Sequence, residues 1–224
     1  MTPAQRAGLS VGFATGLYGI SFGALAVASG LDAWQAVALS ALMFTGGSQF
    51  AFIGVVGGGG SPAAATGAAT LLGVRNTVYG LRLATLVPPR SAPERAAMAQ
   101  LTIDESTAVA VAQESPEEQR RGFWAAGLGV YVFWVGFSAL GAVVGDRIGN
   151  LDRLGLDGAA VAAFTGLLWP HLRSRRPVAI AVLAAVVTLA LVPAVPAGLP
   201  ILGAALVAAV AGWALRPTDL REAA

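Results

Sequence analysis

The chain has 224 residues, of which 56% are hydrophobic and only 12% charged, about half the charged share of an ordinary soluble domain. Its mean hydropathy of +0.70 excludes a water-soluble globule, and the absence of cysteine excludes thiolate sites, disulfides and iron–sulfur clusters. The formal charge is only +2, and every basic side chain except His171 is arginine; in so apolar a chain this reports orientation and contact with anionic membrane lipid, not nucleic acid.

Five apolar runs approach the roughly 20 residues that cross a bilayer: "VGFATGLYGISFGALAVAS", "AVALSALMFTGGSQFAFIGVV", "GFWAAGLGVYVFWVGFSALGAVVG", "PVAIAVLAAVVTLALVP" and "GLPILGAALVAAVAGWAL". They are apolar all round and do not alternate, which predicts helices and not transmembrane strands. The expected fold is all-α: a polytopic helical membrane protein forming one domain over 1–224, with six to seven transmembrane helices and at least one broken or re-entrant segment. In the first run, "AVAS" at 26–29 resembles a leader cleavage site. The run exceeds a signal-peptide core of roughly 7–15 residues and only Arg6 precedes it, so it reads as a retained helix. Gly12, Gly16, Gly19, Gly23, Ala26 and Gly30 form a small-residue stripe on which another helix can pack closely.

The second run carries "TGGSQF" at its centre. Backbone in hydrocarbon must satisfy its own hydrogen bonds, so an unwound turn at Gly46 and Gly47 requires cover by protein or by a water-filled cavity. Transporters place such breaks around a substrate. Alternatively, the glycines only allow tight packing, with Ser48 and Gln49 bonding between helices. Both readings stay open at this point.

"GGGGSP" at 57–62 is a turn that ends in a helix-starting proline. The third segment, 63–87, stops at Pro88 and Pro89 and sets Arg75, Tyr79 and Arg82 on one face, with Asn76 beside them. Arg82 is close enough to the end to snorkel. Arg75 is deeper, and a central arginine facing lipid costs at least about 2.5 kcal/mol, so it needs a partner or a cavity. Residues 88–121 form the long hydrophilic link, and the "MAQLTIDESTAVAVAQ" within it is too short to span and reads as a re-entrant or interfacial helix. Its Asp104 and Glu105 are the candidate partners: either one pairs permanently with Arg75, or Arg75 receives a substrate carboxylate while an acid titrates.

A long helix at 122–145, the polar link "DRIGNLDRLGLDG", a shorter apolar segment at 158–170 and the C-terminal helical segments up to 216 complete the chain. His171, among arginines, reads as a solvated interface residue. Arginines in short loops belong on the cytoplasmic side, which groups Arg90, Arg95, Arg120 and Arg121 with Arg173, Arg175, Arg176, Arg216 and Arg221. If the second segment crosses fully, Arg6 is outside and there are seven crossings; if it breaks and re-enters, Arg6 is inside and there are six. No serine elbow, phosphate loop or metal-ligand spacing occurs, so no enzyme activity, cofactor or metal is expected.

Four motifs in order, "RAGLSVGFATG", "FTGGSQFAFIG", "GVRNTVYGL" and "LTIDESTAVA", resemble those of the AzlC-type branched-chain amino-acid permeases. The likeness covers the whole chain in order and length and is densest over 6–113. The resemblance implies export of branched-chain amino acids across a bacterial cytoplasmic (inner) membrane, driven by an ion gradient, together with a small AzlD-type membrane partner; an oligomer is compatible with it. It carries Gly46, Ser48, Gln49 and Phe50, then Arg75 and Tyr79, then Asp104 and Glu105 over as site positions. Gly73 stands where the family often has Asn, and Asn76 where it often has His, which removes a titratable group beside Arg75. The candidate substrate site is therefore Gly46, Gly47, Ser48, Gln49, Arg75, Asn76 and Tyr79, with Asp104 and Glu105 as proton-coupling groups or charge partners. Phe50 and Phe52 would form its apolar pocket. The rival reading is a structural or channel-like membrane subunit that transports no amino acid itself.

Overall fold

The computed structural model describes residues 1–148, 165–166, 168–169, 172–196 and 199–214. His171, Arg216, Arg221 and most of the 146–170 stretch lie outside the described residues. Among the described residues the long elements are helices: α1 (Pro3–Ala28), α2 (Ala33–Leu42), α3 (Gly47–Gly57), α4 (Pro62–Leu86), α5 (Ala92–Leu101), α6 (Asp104–Val111), α7 (Pro116–Ile148), α8 (Arg175–Leu191) and α9 (Leu199–Ala214).

Two of these, α1 and α7, are long and apolar enough to cross a membrane. At 1.5 Å per residue they measure about 39 and 50 Å, against a hydrocarbon thickness of about 30 Å. The apolar helices α2, α3 and α9 are shorter. At 25 residues α4 has the length, but Arg75, Asn76, Tyr79 and Arg82 make it less apolar.

The glycine stripe of α1 fits against α7 with no room for side chains. A Cβ on Gly8 would lie 2.7 Å from the Ala126 nitrogen, one on Gly12 2.8 Å from the Gly129 carbonyl carbon, and one on Gly19 2.7 Å from the Trp134 oxygen; Gly16 and Gly23 press on Phe133 and Ser138. Partner numbers rise together, so the two helices run parallel and their N-termini share one end. The stripe starts at Gly8, one turn earlier than expected, and stops before Gly30. That residue lies beyond the helix at φ +95° with nothing near it, in the turn that leads to α2.

The second apolar run does not continue as one helix. Between α2 and α3 the chain breaks at residues 43–46, where Gly46 takes φ +60°, a region open to glycine at no steric cost. A Cβ on Gly57, the last residue of α3, would lie 2.9 Å from Ser29 Oγ at the C-terminal end of α1. Helix α2 leaves from that end and α3 returns to it, so the pair is a re-entrant hairpin. From there α4, capped by Ser61 Oγ, runs to the opposite end, where the Pro88 carbonyl accepts a hydrogen bond from Arg120 of α7.

The hydrophilic stretch is helical too, and it corrects the expectation of one short helix in a charged link. It contains α5, α6 and the opening of α7, which begins at Pro116, not at 122. Glu117 and Glu118 sit in the first turn of α7, where the helix dipole favours acids, and Arg121 pairs with both at 2.5 and 2.8 Å. Helix α5 starts beside α7 through the Arg120–Glu94 ion pair. It reaches Gly127 with Leu101, and α6 returns Val109 to Gly122. The turn between them is held by Thr102 Oγ1, which donates to the Met98 carbonyl at 2.7 Å, and by Ser106 Oγ, which donates to the Leu101 carbonyl at 2.6 Å.

Two re-entrant hairpins, α2–α3 and α5–α6, thus enter from opposite ends. Their tips touch: Gln100 Nε2 donates to the Ala41 carbonyl at 2.9 Å. They also follow one plan. Each first arm has 10 residues; Thr45 and Thr102 stand two residues before the second arm begins; and Ser61-Pro62 and Ser115-Pro116 open the long helix that follows. Phe22, Phe44, Phe50, Leu83, Phe123 and Trp134 fill the common core. Helices α8 and α9 pack on each other, and Ile201 and Leu202 of α9 lie against Val55, Ala65 and Ala68 of α3 and α4.

Candidate functional site

The hairpin tips enclose a cavity of about 320 Å³, lined among others by Thr45, Gly46, Gly47, Arg75, Asp104 and Glu105. Its volume falls in the range of about 300–1,000 Å³ typical of small-molecule sites. Arg75 comes from the middle of α4 and spans the two tips. Its Nη2 lies 3.0 Å from Asp104 Oδ2 and 3.5 Å from the Thr45 carbonyl oxygen, and a Cβ on Gly47 would stand 3.4 Å from the same nitrogen. Larger residues at 47 would press on the guanidinium.

Both second arms aim their N-termini at this point. Helix α3 starts at Gly47 without a side-chain cap; the Gln49 N–H bonds to the Gly46 carbonyl at 3.0 Å, and no side chain caps the N–H groups of Gly47 and Ser48 before it. A helix start carries roughly half a positive charge. Helix α6 opens with Asp104 and Glu105 in its first turn, where that partial charge stabilises carboxylates. Asp104 also meets the Tyr79 hydroxyl, and Glu105 meets the Thr15 hydroxyl of α1. The remaining wall is apolar: Ala14, Phe44, Phe50, Ile103, Val130 and Trp134. Trp134 is fixed by stacking on Phe22 at 5.9 Å and by Phe50 edge-on at 6.2 Å, and its buried Nε1 has no hydrogen-bond partner among the described residues.

The residues expected from sequence divide into two groups. Gly46, Gly47, Arg75, Asp104 and Glu105 line the cavity, and Tyr79 touches it through Asp104. Ser48, Gln49 and Asn76 do not line it. Gln49 is fully buried and its Nε2 donates at 3.0 Å to the Leu39 carbonyl, which also accepts the Met43 N–H, so this amide, with that of Gln100 on the Ala41 carbonyl, braces the end of α2. Ser48 Oγ faces α4, 3.6 Å from where a Cβ on Gly73 would stand. Phe50 lines the cavity; Phe52 packs into the core instead. Sequence reasoning missed Thr15, Tyr18, Phe44, Val130 and Trp134. The hydroxyls of Thr15 and Tyr18 inside the first apolar run were the one available signal.

One cation, two anions, an uncapped helix start and an aromatic wall around a small volume suit a compact zwitterion with an apolar side chain. Among the described residues no group of three His, Asp or Glu could hold a metal. Comparison with curated proteins gave no match, and comparison with solved structures gave none. The AzlC family model, described as AzlC protein, matches residues 10–148, more than half the chain. Both hairpins, Arg75 and the acidic tip fall inside that match, and the chain belongs to the AzlC family, whose members are membrane transport proteins.

Proposed function

We propose that this chain is the large subunit of a two-component exporter of branched-chain or related hydrophobic amino acids. It works in the bacterial cytoplasmic membrane with a small AzlD-type partner and is coupled to an ion gradient. The observation that carries the transport reading is the meeting of two re-entrant tips, entering from opposite ends, around a cavity that holds Arg75, Asp104 and Glu105. Discontinuous helices around a central polar site are the usual architecture for alternating access. A purely structural subunit has no use for an ionised arginine and two acids at that depth, where each is costly.

In this reading α1, α4 and α7 cross the membrane and the hairpins re-enter it, which favours six crossings over seven. Arg6 then shares the cytoplasmic end with Arg90, Arg95, Arg120 and Arg121. The substrate carboxylate docks on Arg75 and the free N–H groups of α3, its ammonium faces the acids of α6, and its aliphatic side chain lies against Phe44, Phe50, Val130 and Trp134. A branched aliphatic chain offers only surface to recognise.

The test is efflux of preloaded labelled leucine from cells that express the chain with its partner. Wild type should exceed the empty vector. Arg75→Ala, at matched membrane abundance, should lose roughly 10–100-fold, the worth of about 1.5–3 kcal/mol for a hydrogen bond to a charged group. A wild type that moves no leucine, valine or methionine supports the structural or channel-like reading instead.

A further inference from the structure

The two acids at the tip of α6 are adjacent in sequence but differ in what they face. Asp104 is neutralised by Arg75 at 3.0 Å and lies beside the Tyr79 hydroxyl. Among the described residues, Glu105 has no ion pair. It lies half-buried on the cavity wall, where the Thr15 hydroxyl meets it. The groups placed around it are Arg75 and Tyr79 of α4, Asp104 on its own helix, Tyr18 and Thr15 of α1, Thr45 of the first tip and Trp134 of α7. Only Arg75 among them is a cation, and Asp104 already holds it.

A carboxylate without a cation is tolerable while water fills the cavity. It becomes costly once the cavity closes for the transition between access states, and the positive end of α6 offsets only part of that cost. Glu105 must therefore be neutralised in each closed state, and among the described residues no free cation stands ready to do so. Resting on the amino-acid reading above, we propose that Glu105 is a shared cation acceptor, holding the substrate ammonium on the loaded limb and one proton on the empty limb. When the amino acid binds, the Glu105 carboxyl releases its proton to water and the carboxylate pairs with the incoming ammonium. When the amino acid leaves, a proton takes its place. Thr15 suits both states, since a hydroxyl donates to a carboxylate and accepts from a carboxylic acid. Exchange on one group makes the traffic antiport: a proton enters for each amino acid that leaves, which gives export its driving force. Asp104 keeps the separate task of holding Arg75, whose remaining N–H donors take the substrate carboxylate.

The test uses the chain with its partner in lipid nanodiscs. Leucine affinity is measured across pH, and proton release is followed with a pH dye. Wild type should release one proton per leucine below the titration of Glu105, with affinity falling about tenfold per pH unit there. Glu105→Gln should bind leucine more weakly, with no pH dependence and no proton release. A second ligand, 4-methylpentanoate, lacks the ammonium and decides the matter even if that variant misfolds: its binding to wild type should strengthen as pH falls. Leucine binding without proton release at any pH, or pH dependence that persists in Glu105→Gln, overturns the proposal and leaves the transport reading intact. Failure of wild type to bind leucine, valine or methionine at any pH overturns both.

Discussion

Replacing Gly23 by alanine tests the contact on which the arrangement of α1 and α7 depends. A Cβ there would meet the Ser138 carbonyl oxygen and lie 2.6 Å from the Ala142 nitrogen, whereas ordinary contact begins at 3.4 Å. Both obstacles are backbone, so no rotamer change relieves them and the helices must separate locally. Overpacking of this kind costs about 1–3 kcal/mol. Alanine is the better helix former by about 1 kcal/mol, and that gain is included in any measured difference. Gly54, in α3, is the matched control: a Cβ there meets nothing within 4 Å, so Gly54→Ala should keep the propensity gain. Thermal unfolding in detergent reads both. With a shift of roughly 2–4 °C per kcal/mol for a chain of this size, Gly23→Ala should melt several degrees below wild type and Gly54→Ala at or above it. A Gly23→Ala protein as stable as wild type would refute close backbone packing of α1 on α7, and with it the parallel placement that puts the hairpins at opposite ends.

Two further outcomes follow from the tips and their supports. Gln49→Leu removes the second of two donors to the Leu39 carbonyl, which keeps the Met43 N–H at 3.0 Å, and should cost about 0.5–1.5 kcal/mol in stability, while leucine affinity in the folded fraction stays within about twofold, since Gln49 is turned away from the cavity; a selective loss of affinity would return Gln49 to the substrate site. The buried hydrogen bond of 3.0 Å between Ser40 of α2 and Ser138 of α7 should give a coupling of about 0.6 kcal/mol, and no more than about 1.7, in a Ser40→Ala, Ser138→Ala double-mutant cycle. Zero coupling there would show that the first hairpin is not anchored to α7 through this pair.

Much of the path of the chain was legible in advance because the rules that set it are local. Apolar runs of membrane-crossing length, Ser-Pro helix starts, paired glycines and terminating prolines each act on their own few residues. The cost of a deep arginine likewise required a partner for Arg75 before any was seen. The charged stretch at 88–121 was misjudged because its charges satisfy one another, Arg120 with Glu94 and Arg121 with Glu117 and Glu118. Polar composition there marks helix ends rather than a loop. The repeated Thr and Ser-Pro plan of the two hairpins was present in the sequence, but with so few shared residues it became visible only when the second arms were seen to begin at matching points.

By itself, the sequence determined the helical class, the place at Gly46 and Gly47 where the second run either breaks or packs tightly, and the residue types that had to meet: a deep cation, two acids and apolar aromatics. Only the tertiary structure decided that α2–α3 and α5–α6 return to the ends they leave, that Asp104 and not Glu105 takes Arg75, and that Gln49 braces α2 instead of facing the cavity. The reason is geometric. Successive residues on a helix turn by about 100°, so Gly47 and Gln49, two steps apart, or Asp104 and Glu105, one step apart, differ in role by which of them the packing of α1, α4 and α7 turns inward. That rotation is set by contacts between segments distant in sequence, above all the glycine seam that locks α1 against α7.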